Sequence, residues 1–253
     1  MKKTLWIIIA ALLAIAQGAW AQAVVNDEAA LNNAIAAAEG ETISIRLGAD
    51  ITLSAYLKIG ESKEQTVVID LCGHKLRRNL DAVDANGHVI EVFGKGELTV
   101  KDTGKGGEIS GGRANNGGGI CNYGTLHFEG GTITSCLADN TGGGVRNNGT
   151  MTMSGGTILG CWGSDCGGIY NAEGATLTIT GGVISGNTSG RGGGGIVNYG
   201  MADISGGAIH NNHATTRGGG IWNAGELTIG AAIIDGNRAD IEGGGIVYRA
   251  NCK

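Results

Sequence analysis

From Gly96 onward the chain repeats itself about every twenty-five residues, and this period restricts the fold more than any other feature. Each unit opens with Gly, continues with an apolar strand and Gly-Gly-x-Ile, and closes with Gly-Gly-Gly-Ile-x-Asn. The opening glycines are Gly96, Gly124, Gly149, Gly174, Gly200 and Gly225, so the steps are 28, 25, 25, 26 and 25 residues. Units of this size cannot bury an apolar face alone and must stack into a solenoid. Fifty glycines and no proline would suit a disordered or collagen-like chain, but 42% hydrophobic residues in periodic positions exclude disorder. Glycines that are not spaced in threes exclude collagen. The missing Pro suits paired strands, because Pro cannot donate to a ladder.

Three apolar positions recur in register. The first column is Val100, Phe128, Met153, Ile179, Ile204 and Ile229; the second is Ile109, Ile133, Ile158, Ile184, Ile209 and Ile234. The third is Ile120, Val145, Ile169, Ile196, Ile221 and Ile246. Three short strands per turn, with no room for a helix between them, predict an all-β chain: a single-stranded parallel β-helix of about eight coils. The general preference of parallel connections makes it right-handed. Strand-like pieces at 42–47, 51–53, 56–59, 66–71, 75–77 and 88–92 form two irregular coils before the regular ones. Ahead of them, Asn26 and the acids Asp27 and Glu28 precede an Ala-rich apolar stripe, with Gly40 beyond it. A short helix over 27–39 is therefore expected to cover the first coil.

The first residues read as a secretory signal: Lys2 and Lys3, an apolar run from Leu5 to Ala16, and Ala19-Trp20-Ala21 as a cleavage site before Gln22. The organisation is then a signal peptide at 1–21, a capping-helix region at 22–40, irregular coils at 41–95 and regular repeats at 96–253. Cleavage removes two lysines and no acid, taking the net charge from −5 to −7. A mildly acidic, exported chain without a basic patch is not a nucleic-acid binder, and no transmembrane helix is expected in the mature chain. Export permits disulfides. Cys136 and Cys161 fall at the same point of adjacent units, where stacked strands lie about 4.8 Å apart. A Cys136–Cys161 disulfide and a pair of stacked apolar side chains both fit this spacing.

The pairing of GGGI or GGGV with I-x-x-N (Ile184 with Asn187, Ile209 with Asn212, Ile234 with Asn237) resembles the GGA[ILV] and FxxN repeats of polymorphic outer-membrane proteins. It is also similar to the β-helix repeat proteins of bacterial surfaces. The phrase VVIDLCGHKL resembles the segment that opens many such β-helices, with Cys72 where Asn is usual. The resemblance covers nearly the whole mature chain and implies a surface or passenger-type β-helix. The polymorphic family also carries a C-terminal membrane barrel, which is not read in these residues.

Asn122, Asn147, Asn171, Asn198 and Asn223 follow the third-column residue by two positions and are expected to form a structural ladder, with Tyr248 taking the slot in the last coil. Asn187, Asn212 and Asn237 continue the Cys136–Cys161 column and read as architectural too. Ser185, His210 and Asp235 occupy one outward slot in three consecutive coils, the order of a nucleophilic triad. Ser110, Thr134 and Leu159 fill that slot higher up, which marks a tolerant position rather than a catalytic one. His210 and His213 form an HxxH without a third ligand, so no metal or other cofactor is expected.

Asp165 stands alone, and Asp139, Glu129, Asp203 and Glu226 assemble into no carboxylate cluster from adjacent coils. Arg113, Arg191, Arg217 and Arg238 sit in loops before the Gly-rich stretches. Trp162, Tyr170, Tyr199 and Trp222 are candidates for sugar stacking, although Tyr170, Tyr199 and Trp222 do not share a column. The expected function is a non-catalytic, exported structural or adhesive scaffold on the cell surface, outer-membrane-associated or secreted. The alternatives are a carbohydrate-active β-helix enzyme or a glycan-binding module. Partners would be glycans, surface proteins, or a second copy meeting an uncapped last coil end to end.

Overall fold

The computed structural model describes residues 22–38 and 40–249. The signal segment and its cleavage site lie outside the described residues, as does Cys252. The chain winds into a parallel β-solenoid of about nine turns, and every strand pair is parallel to its neighbours in the turns above and below. One face is a nine-stranded sheet, so its eight inter-strand steps of about 4.8 Å give a rod roughly 38 Å long. The expected fold class is what the chain adopts.

The three apolar columns pair residue for residue. Phe128 lies opposite Val100 and Met153, Ile133 opposite Ile109 and Ile158, and Val145 opposite Ile120 and Ile169. Each column continues upward into the irregular turns: Val100 stacks under Ile69 and Ile45, Ile109 under Leu76 and Ile51, Ile120 under Ile90 and Leu57. These side chains are buried together in one narrow core. In the last described turn Ile229, Ile234 and Ile246 are only partly buried, since they are covered from one side.

The regular turns differ from the expected three strands by a fourth, two to five residues long, between the second and third faces. Its strands form a six-stranded sheet that begins at Arg113–Asn116. The inward residues of this sheet are Ala114, Ala138, Gly163, Ser189, Ala214 and Ala239, stacked in register. A wall of such small residues lets the backbone approach the core closely and gives no apolar column to read. The corner leading into it needs a left-handed residue, met by Gly160, Gly186 and Gly236 and also by Ser135 (φ 53) and Asn211 (φ 55).

Helix α1 (Glu28–Ala37) covers the first turn, burying Leu31 and Ile35. Its N-cap is Asp27, whose carboxylate accepts from Ala30 N–H at 2.8 Å. The buried Gln65 side chain donates to Ile35 C=O at 2.8 Å, and Glu28 accepts from Ser54, so α1 is tied to two turns below it. Among the described residues no helix is long and apolar enough to cross a membrane.

Both Asn ladders are present. Asn122 Nδ2 donates to Asn147 Oδ1 at 2.7 Å, and the chain of bonds continues to Asn171, Asn198 and Asn223 at 2.8, 2.8 and 2.7 Å. In the second ladder Asn187 donates to Asn212, and Asn212 to Asn237, each at 3.0 Å. Cys161 heads that ladder through its N–H on Asn187 Oδ1. Cys136 and Cys161 are buried free thiols. Hydrogen bonding to Cys161 pulls the Cys136 thiol below its ordinary range, while that contact and burial push Cys161 well above it.

Candidate functional site

On the third face each three-residue strand points its first and last residues inward and its middle residue out. The outward row therefore runs Arg146, Tyr170, Val197, Trp222 in successive turns. Tyr199 follows the ladder residue Asn198 and stands in the next row. The small Val197 leaves room between Tyr170 and Trp222, and the Tyr199 ring fills it. Its centroid lies 5.6 Å from Tyr170 and 5.1 Å from Trp222. The Arg146 guanidinium extends the series, 5.5 Å from the Tyr170 centroid, and is held by Asn116 and Thr141. Separate columns do not by themselves indicate a common aromatic surface, but long side chains reach across rows, and Tyr199 contacts both other rings.

The facing wall consists of the loops that carry Asp165, Arg191, Thr216, Arg217 and Ile241, and together they enclose a cavity of about 450 Å³. Where these loops turn toward the outward row, a glycine three residues before the third-column Ile adopts a left-handed conformation, φ 64 at Gly193 and φ 66 at Gly218. A Cβ at Gly218 would come within 2.9 Å of Trp222 Cβ, so a side chain there would force the wall away from the ring. Asp165 is not alone: Arg191 Nη1 donates to its Oδ1 at 2.9 Å. Arg217 Nε lies 3.9 Å from Glu242 Oε2. Burial raises the phenols of Tyr170 and Tyr199, helped at Tyr170 by Tyr199 and at Tyr199 by Asp165. Both hydroxyls thus stay protonated and can donate at neutral pH.

The other candidates fall elsewhere. Trp162 belongs to the fourth sheet, paired with Leu137 and Thr188, outside this cavity. Arg238 joins Asp240, which also accepts from His213 at 3.0 Å. Ser185, His210 and Asp235 do stack in register. His210 Nδ1, however, bonds the Asn211 side chain at 3.0 Å rather than either neighbour of the column. His210 and His213 thus face separate partners, and among the described residues no group of three His, Cys, Asp or Glu side chains could hold a metal ion.

No family model, curated protein sequence or solved structure matches this chain.

Proposed function

We propose that the chain is an exported, non-catalytic β-solenoid that serves as a surface or passenger-type adhesive module and recognises glycans through the aromatic groove. One observation carries this reading: Tyr170, Tyr199 and Trp222, from three consecutive turns, meet ring to ring in a cavity edged by charged side chains. Aromatic faces accept the apolar C–H faces of sugars, while guanidinium, carboxylate and phenol groups suit their hydroxyls. The resemblance of the repeats to polymorphic outer-membrane proteins, and cleavage near Ala21/Gln22 with display outside the cell, belong to the same proposal.

An enzymatic reading is less well supported. Asp165 lines the groove and Glu242, beside Arg217, lies three turns away, about 14 Å, beyond the roughly 5–9.5 Å that glycosidase carboxylates span. A glycan array probed with the protein tests the proposal. Binding that Trp222→Ala abolishes supports it, and a uniformly blank array leaves only a scaffold.

A further inference from the structure

Resting on the glycan-binding reading, we propose that the groove takes a neutral β-1,4-linked polysaccharide lying parallel to the solenoid axis, with one sugar unit per turn.

Three features of the groove lead there. Its lining comes from four consecutive turns, Asp165 and Tyr170 in the first and Ile241 in the last, so it is elongated along the axis over about 14 Å. A compact ligand would leave much of it empty, whereas an extended chain would fill it. The rings also arrive one per turn and on alternating rows: Tyr170 in the outward row, Tyr199 beside it, Trp222 back in the outward row. In a β-1,4-linked chain each unit is turned over relative to the one before, so its hydroxymethyl-bearing edges alternate from side to side along the axis, as the rings alternate between the two rows. The length of one such unit is also close to the rise of a solenoid turn. Finally, the two cations that line the cavity each face an anion, Arg191 on Asp165 and Arg217 near Glu242, while Arg146 beyond Tyr170 is held by the neutral Asn116 and Thr141. The two pairs cancel, so the lining itself offers a polyanion no unpaired cation, and the chain as a whole carries −5. Paired charges still offer N–H donors and carboxylate acceptors to hydroxyl groups. A neutral polymer satisfies them without displacing either ion pair, while a uronate would have to compete with Asp165 and Glu242 for the same guanidinium groups.

The test is titration calorimetry with cellotetraose, cellobiose and tetragalacturonate at low and high salt. It is paired with tryptophan fluorescence of the chain from Gln22 in a Trp162→Phe background, where Trp222 alone reports on the groove. The expected result is binding of cellotetraose, tighter than cellobiose, insensitive to salt and accompanied by a change in Trp222 emission. Trp222→Ala and Tyr199→Leu should each weaken it by about tenfold or more, the scale of one lost aromatic contact, with unchanged far-UV dichroism. Having two variants at separate rings keeps the test usable if one of them misfolds. Preference for tetragalacturonate with salt-dependent affinity overturns the inference and leaves the glycan reading standing. So does a glycan-array ligand that perturbs Trp222 while cellotetraose does not bind. A blank array together with silent calorimetry removes both.

Discussion

Replacing Asn198 by Ala tests whether the buried ladder contributes to stability or only fills a corner. Asn198 is fully buried. Its Oδ1 accepts from Asn171 Nδ2 at 2.8 Å, and its Nδ2 donates to Asn223 Oδ1 at 2.7 Å and to Glu226 C=O at 2.9 Å. Losing three such bonds at about 1 kcal/mol each gives a destabilisation of about 3 kcal/mol. For a chain of this size that corresponds to a fall of about 6–12 °C in the thermal midpoint by far-UV dichroism. Asn198→Asp makes the test sharper. It retains shape but sets a carboxylate oxygen against Asn223 Oδ1 and the Glu226 carbonyl, so the buried group favours its protonated, donating form. Its folded pKa then lies above the unfolded value, and stability present below about pH 3.9 is lost as pH rises through the folded value. The Asp variant should therefore melt lowest at neutral pH and recover on acidification relative to the Ala variant. A midpoint shift under about 2 °C for Asn198→Ala, less than 1 kcal/mol, would refute the ladder argument.

Asp70 should make the parent protein acid-sensitive. Burial acts to raise its carboxyl, but bonds from the Thr103 hydroxyl, Thr103 N–H and Cys72 N–H hold it below the ordinary carboxylate range. That contribution is present above the unfolded value of about 3.9 and fades as pH falls through the lower folded value. The urea-unfolding gap between parent and Asp70→Asn should thus be wide at neutral pH and narrow in acid, and a gap that widens in acid contradicts the assignment. Among the described cysteines, iodoacetamide should label half-exposed Cys72 first, while Cys121, with its thiol pushed up to about 11 by burial, and Cys136, Cys161 and Cys166 react only on unfolding. Peptide mapping showing early modification of Cys161 would contradict the packing. Any ester hydrolysis measured should be the same for the parent and His210→Ala, since His210 bonds Asn211; a selective loss in the variant would restore the triad.

The solenoid was legible in the sequence because its period repeats the same physical demand at each turn. Val100 to Ile229, Ile109 to Ile234 and Ile120 to Ile246 are apolar for one reason, and alignment exposes it. The fourth strand was hidden because its inward residues, Ala114 to Ala239, are small and its strands are as short as Thr188–Ser189. A column of small residues at constant spacing was the available signal. The groove was legible only as a list of aromatics. Column reasoning separates Tyr199 from Tyr170 and Trp222, and only side-chain reach over the small Val197 reunites them. The charge pairing of Asp165 with Arg191 likewise depends on two loops from adjacent turns meeting, which a period does not encode.

In all four sheets the ladder bonds join one turn to the next, so they point along the rod. Tension applied between the two ends should open them a turn at a time. Each turn released would free about 25 residues and add about 80–90 Å of extended chain. The rod would thus act as an extensible tether that yields length in equal instalments under load. A ligand touching Tyr170, Tyr199 and Trp222 together would bind three of those turns to one another, and the segment that grips would be the last to give way.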